Sequence, residues 1–179
     1  MDRTRQVERM SGTSNAPASL RVLHGEIDRE ATMLARAHAE RLRCRRGCHD
    51  CCIDGLTVFT VEADAIRDAF PELTATGTPH PAGACAFLDS EGACRVYAVR
   101  PYVCRTQGLP LRWIAEKNGE TVEYRDICPL NEAGGPGLTD LAEDECWSLG
   151  PFEGRLAALQ ERHGEKGQRV SLRSLFRHR

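Results

Sequence analysis

Four thiols within nine residues, Cys44-Arg45-Arg46-Gly47-Cys48-His49-Asp50-Cys51-Cys52, constrain this chain more than any other stretch. Five more cysteines lie downstream, Cys85, Cys94, Cys104, Cys128 and Cys146. Thiolates are soft, charged ligands, and the simplest joint use of so many is to hold a soft metal. Gly47 suits such a segment, because glycine lets the backbone turn until neighbouring sulfurs converge.

Three other uses of thiols compete with this one. A disulfide framework needs an oxidising compartment, but residues 1–10 have no apolar stretch of signal-peptide type, and nine cysteines cannot all pair. A chain of 179 residues also has no need of stapling. A redox dithiol would use the CxxC at Cys48 and Cys51, yet no strand-then-helix pattern surrounds it, and Cys44 and Cys52 crowd it. The third use is as a small buried hydrophobe. Cys146 fits that description, since it precedes Trp147 at the start of an apolar pattern through Phe152, Leu156 and Leu159.

The length fits one domain with a helical extension. Only 6% of the residues are aromatic, which favours a core organised in part by metal, because structural metal sites contribute about 10–16 kcal/mol to folding. A net charge of −2 supplies no field to gather nucleic acid or anionic membrane. No apolar run approaches the roughly 20 residues of a membrane span, so a cytoplasmic protein is expected.

The expected fold class is α+β: a small domain with an N-terminal amphipathic helix, two short β-hairpins and C-terminal helices around the cysteines. Residues 1–17 are polar and turn-rich and are expected to be disordered, with Ser14 or Asn15 able to cap the first helix. From about Ala18 to Arg43, the spacing of Leu20, Leu23, Ile27, Ala31, Leu34, His38 and Leu42 predicts one helix with one apolar seam. His38 on that seam reads as a satisfied core histidine. Gly55–Phe59 reads as a strand, and Thr60 as the cap of a helix that Pro71 stops, with a loop over 71–83. Residues 84–88 and 93–97 form the first predicted hairpin. Residues 109–115 and 121–127 form the second, turning at Asn118-Gly119. Between them, residues 99–105 read as a helical turn bearing Cys104. Leu138–Glu143 and Pro151–His163 are the last predicted helices, with Gly164 closing the second. The domain is thus expected over 18–164, with residues 165–179 a polar, solvated tail.

The cluster, together with Cys85-Ala86-Phe87-Leu88, Cys94-Arg95-Val96-Tyr97 and Val99-Arg100-Pro101-Tyr102-Val103-Cys104-Arg105, resembles the YkgJ-type cysteine-cluster family. Gly108-Leu109-Pro110-Leu111-Arg112 and Cys128-Pro129-Leu130-Asn131 are similar to it as well. The likeness spans roughly residues 44–130 and implies a zinc- or iron-chelating domain. The family's shorthand is CxxCxxCC, whereas here three residues separate Cys44 from Cys48. Cys146 has no counterpart in the motif. A related cluster occurs in flagellin lysine N-methylases, but nothing in this chain identifies a methyl-donor site, and that activity is not carried over.

The expected metal ligands are Cys44, Cys48, Cys51, Cys52, Cys85, Cys94, Cys104 and Cys128, forming either two four-ligand sites or one such site with spare thiols. Adjacent side chains diverge, so Cys51 and Cys52 are awkward joint ligands of one tetrahedral ion. The absence of paired CxxC knuckles favours an iron–sulfur cluster, a [4Fe–4S] one, over zinc. Arg100 and Arg105 bracket Cys104 and are expected to lie against the cofactor, offsetting thiolate charge. The expected function is metal binding, with the iron–sulfur cluster serving a redox or accessory role beside a protein or redox partner. The alternative is a zinc-organised interaction module without catalysis. No Ser–His–Asp arrangement, P-loop or dinucleotide fingerprint points to a particular reaction, and no catalytic residue is assigned.

Overall fold

The seam predicted in the first helix is the floor of the larger of two hydrophobic cores. In the computed structural model, which describes residues 16–176, helix α1 runs Ala16–Ala37. It buries Leu20, Leu23, Ile27 and Ala31 against Leu156 and Leu159 of helix α5, Pro151–His163. Val61, Tyr102, Leu109 and Trp147 complete this core. The expectations for residues 1–15, including capping by Ser14 or Asn15, and for the last three residues lie outside the described residues.

Regular helix ends at Ala37, six residues before the predicted end. The chain then tightens through Arg41 N→His38 O at 3.0 Å, while His38 Nε2 bonds the Glu145 carbonyl at 2.7 Å. His38 is therefore a buried, satisfied histidine, as expected.

Strand β1 (Thr57–Phe59) leads directly into helix α2 (Thr60–Ala69). No side-chain cap bond forms at the start of α2. Instead, the fully buried Gln160 of α5 accepts Val61 N–H and the Thr60 hydroxyl, both at 3.0 Å, so a distant amide satisfies the orphan donor that a Thr60 cap would serve. Pro71 ends α2 but does not open a loop. It takes the first position of a short helix α3, Pro71–Thr76, where its missing N–H costs nothing.

The second core lies across α2 from the first. Val61 of α2 faces the α1 side, while Ala63 and Ile66 join Val58, Cys85, Ala86, Phe87, Leu88 and Val96. Leu172, Leu175 and Phe176 close this core. The stretch expected as a solvated tail is therefore structural over residues 169–176. Its strand β5 (Arg169–Ser171) pairs antiparallel with β1, Val58 opposite Val170, and Phe176 packs on Phe87 with centroids 4.8 Å apart. The polar letters of Arg169, Ser171, Arg173 and Ser174 hide the apolar face between them.

The predicted hairpin at 109–127 forms as β2 (Leu111–Lys117) and β3 (Glu120–Asp126). Asn118 (φ 54°) and Gly119 (φ 83°) both adopt the left-handed conformation that the tight turn needs. A further short strand, β4 (Trp147–Ser148), adds to β2 in parallel. Trp147 is thus in a strand, not in the helix its spacing suggests. The other predicted hairpin is reduced to a turn with a single bridge, Leu88 to Cys94. The expected helix at 138–143 is replaced by two 3-10 turns, Leu138–Asp140 and Glu143–Glu145. The fold is α+β, with five α-helices and two small sheets among the described residues.

One ion pair joins the cysteine loop to the C-terminal segment. Arg173 Nε donates to both Asp54 oxygens, at 2.8 and 3.1 Å, and its other nitrogens reach the carbonyls of His80, Pro81 and Ala84. Arg173 and the Gly83 N–H hold the Asp54 carboxyl below its ordinary value. A depressed folded pKa stabilises above the unfolded value of roughly 3.9 and loses that contribution as pH falls through the folded value. Asp54→Asn should therefore melt below wild type at neutral pH, and the gap should close under acid. Melting curves across pH 3 to 7 check this, and a gap independent of pH would count against the ion pair.

Candidate metal centre

The cluster segment is a pair of tight turns. Cys48 N donates to Arg45 O at 3.0 Å across Gly47, whose φ of 83° is the conformation expected of a glycine there, and Cys52 N donates to His49 O at 2.8 Å. His49 Nδ1 donates to the Gly47 carbonyl at 2.8 Å and is packed on Gly92, where an added Cβ would sit 2.6 Å from that nitrogen. The turn of residues 89–92 thus serves as the seat for the 47–49 loop.

Beyond the turns, the chain brings Cys85 and Cys94 back toward the vicinal pair. Cys85 N donates to Cys52 O at 2.8 Å, Leu88 N returns to Cys85 O at 3.1 Å, and Leu88 bridges Cys94. Cys52 and Cys94 pack against the second core, which includes Cys85. Burial, followed by the fields of Cys85, Cys94, Glu62 and Cys51, pushes the Cys104 thiol up to about 12. Burial also raises the Cys128 pKa, followed by the fields of Cys44, Cys51 and Cys48. Cys51 and Cys52 share a proton thiol to thiol. That hydrogen bond lowers Cys51 to about 6 and raises its donor Cys52.

Cys104 is held in place by a carboxylate that nothing in its own sequence neighbourhood reveals. Helix α4, Tyr102–Arg105, begins at a backbone N–H that donates to buried Glu62 Oε1 at 2.7 Å. The same oxygen lies 3.3 Å from His24 Nε2, and His24 Nδ1 accepts from Arg105 at 3.1 Å, so the imidazole proton sits on Nε2. Arg105 continues to Asp28 at 2.5 Å, and Arg100 reaches the other Asp28 oxygen at 3.1 Å. Both guanidinium groups, expected against sulfur, therefore bind a carboxylate of α1. Arg100 also covers the Tyr97 ring at 4.2 Å. Its charge still lowers the Cys94 pKa, against a larger upward push from burial. Arg45 and Arg46 are exposed.

Asn131 is the second positioning residue absent from the sequence expectations. Fully buried, it accepts Arg43 N–H at 2.8 Å and donates to the Gly108 carbonyl at 2.8 Å and to Cys44 Sγ at 3.5 Å. Its own N–H bonds Cys128 O at 2.7 Å. One amide thus ties Cys44, Cys128 and the Gly108 turn together, and only its place three residues after Cys128 hints at this.

Gly108 makes room for the same thiol. A Cβ there would lie 2.6 Å from Cys44 Sγ, at a backbone φ of 92°. Gly108→Ala should cost roughly 1–2 kcal/mol in backbone strain and drive Cys44 out of position. The expected result is a folded protein with weakened metal binding, read by elemental analysis beside circular dichroism. Unchanged metal content would show that Cys44 is not a ligand.

Cys146 stands apart, buried near Arg125 Nη1 at 3.9 Å and beside Trp147. All nine cysteines are free thiols. Among the described residues, no three His, Cys, Asp or Glu side chains are drawn into a closed ligand set. In kind, as free thiols, the eight expected ligands fit a soft metal. One of them, Cys44, lies against Gly108, where an added side chain would meet its sulfur.

Comparison with known proteins points to a metal-chelating domain. Residues 43–129 match the family model CxxCxxCC, described as "Putative zinc- or iron-chelating domain". No curated protein and no solved structure gives a significant match. The matched span contains Cys44, Cys48, Cys51, Cys52, Cys85, Cys94, Cys104 and Cys128, together with the Gly108 turn, and it ends before Asn131 and Cys146. Over residues 43–129, this chain is thus similar to the CxxCxxCC family of zinc- or iron-chelating domains.

Proposed function

We propose that the cysteine cluster holds an iron–sulfur cluster of the four-thiolate [4Fe–4S] type and that the protein serves a redox or accessory role beside a protein partner. The observation that supports this reading is the set of eight free thiols, irregularly spaced in sequence, that falls within the matched residues 43–129. Zinc ribbons rest on paired knuckles of regular spacing, whereas iron–sulfur clusters accept thiolates from irregular loops.

The bound group would supply one-electron transfer, and the residues around it would set its potential. Asn131 Nδ2 donates toward Cys44 Sγ, a hydrogen bond of the kind that stabilises the more reduced, more negative state. Phe87, Val99 and Val103 wall the Cys85 side with apolar atoms and restrict water there. Arg100 contributes positive charge near Cys94. None of these residues is assigned a catalytic role. No described helix is long and apolar enough to cross a membrane, and a cytoplasmic setting suits thiols that must stay reduced.

A second reading is favoured by the burial of Cys85 and the packing of Cys52 and Cys94 in the second core. A metal enclosed by core residues can be a redox-silent zinc site that organises an interaction module. Anaerobic purification separates the two readings. A brown protein with broad visible absorption, iron and acid-labile sulfide is the expected result. A colourless protein with stoichiometric zinc would replace the first reading with the second. Failure to bind either metal after reconstitution would overturn both.

A further inference from the structure

We infer that β3 is the docking edge for a second copy of this chain, the two β3 strands pairing antiparallel about Tyr124 so that the three-stranded sheets of two molecules become one. The inference is independent of the metal-binding reading above and concerns how the domain associates.

The edge is long and unpaired. In the strand order β3-β2-β4, β3 is outermost, and its seven residues run in unbroken register with β2. Lys117 pairs with Glu120 around the Asn118-Gly119 turn, so the bonds within the hairpin fall at Glu120, Val122, Tyr124 and Asp126. The N–H and C=O groups of Thr121, Glu123 and Arg125 therefore point outward. The same alternation on β2 turns the Arg112 carbonyl out, where it accepts Leu149 N–H at 2.9 Å. Among the described residues, no such backbone bond reaches the outer edge of β3. The Leu138 and Leu141 carbonyls take only the Arg125 side chain, at 3.0 and 2.6 Å. The strand also lacks the proline, lysine or bulge that commonly guards an edge.

Charge selects both the occupant and its register. Pairing centred on Glu123 sets that residue opposite itself, pairing centred on Arg125 does the same for the cation, and like charges directly opposite destabilise. Pairing centred on Val122 places Thr121 opposite Glu123 and gains no ion pair. Centred on Tyr124, each Glu123 lies opposite the second copy's Arg125, both at outward-pointing positions that can exchange backbone bonds. The sequence Glu123-Tyr124-Arg125 is thus complementary to its own reverse, which is what a second copy supplies. The two Tyr124 residues then meet at a non-hydrogen-bonded pair, where side chains approach most closely. Each tyrosine already stacks on Trp113 across the hairpin, with centroids 5.5 Å apart and planes at 12°. Trp113 and Tyr124 are half-buried and belong to neither core. Pairing would continue their stack as a row of rings, Trp113-Tyr124-Tyr124-Trp113, over the joint.

The test is sedimentation velocity of the full chain as purified, over a wide range of concentration, with amide hydrogen exchange read by mass spectrometry on the same samples. A monomer–dimer equilibrium is expected, and exchange across residues 121–125 should slow as the dimer fills. Glu123→Lys, which sets a cation opposite the second copy's Arg125, should weaken the dimer about tenfold. Glu116→Lys, the same charge change on β2, should leave it unchanged, with circular dichroism confirming that both variants fold. A monomer at every concentration would overturn the pairing and leave the edge to a strand from another protein. A dimer that slows exchange elsewhere but not over 121–125 would overturn β3 as the interface, and this measurement needs no variant. A dimer equally strong in Glu123→Lys would overturn the register.

Discussion

Replacing Cys104 by alanine should remove at least half of the bound metal and destabilise the whole domain, whereas Cys146→Ala should leave metal content unchanged. The two thiols differ in setting more than in burial. Cys104 rides on α4, whose first N–H is held by Glu62, and it sits within the fields of Cys85 and Cys94. Ligands rarely find one another in an unfolded chain, so metal-binding free energy becomes folding free energy, about 10–16 kcal/mol for a structural zinc site in a small domain. Losing one of four ligands forfeits much of that. Cys146 lies outside the matched family region, against Trp147 and the Arg125 guanidinium. Its truncation removes one buried sulfur from a packed site, a loss of about 1 kcal/mol. Elemental analysis of the two purified variants decides the matter, with thermal denaturation alongside. Metal retained by Cys104→Ala and lost by Cys146→Ala would reverse the ligand assignment.

Phe176→Ala should be among the most damaging substitutions that touch no cysteine. The ring is 2% exposed, packs on Phe87 and lies beneath the Arg95 guanidinium at 5.4 Å from the centroid. Removing a buried phenylalanine costs about 3–5 kcal/mol. In a protein of this length, that should lower Tm by roughly 10 °C. Because Cys85 shares this core and Cys52 and Cys94 pack against it, the loss should also weaken metal retention under a chelator. Circular dichroism melts of the variant and of Ser174→Ala, an exposed neighbour, provide the comparison. A loss below about 1 kcal/mol would mean that the C-terminal segment is dispensable to the core.

Local patterns are legible in the sequence where chemistry is local. The α1 seam, the Asn118-Gly119 turn, the Gly164 end of α5 and the turn at Gly47 each arise from residues a few positions apart. The eight candidate ligands are likewise readable, because thiols at this density have few other uses. The illegible features depend on distant partners. Gln160 caps α2 across 99 residues. Arg100 and Arg105, bracketing a thiol in sequence, both bind Asp28 on α1, because the buried Arg105 guanidinium needs a carboxylate and Arg100 takes that carboxylate's other oxygen. Trp147 continues a helical spacing yet joins β2 as a strand, its N–H satisfied by the Pro110 carbonyl at 2.7 Å.

The sequence by itself determined the candidate thiol donors, the amphipathic helix that precedes them, and the α+β class, since each rests on residue type and short-range periodicity. Only the tertiary structure decided that residues 169–176 are core rather than tail, that Asn131 and Glu62 position Cys44 and the Cys104 helix, and that Cys85 returns to Cys52. The physical reason is common to all three. A buried polar group takes whatever partner the fold brings to it, and a short apolar face is stable only against a surface made elsewhere in the chain, so neither carries a signature in its own neighbourhood.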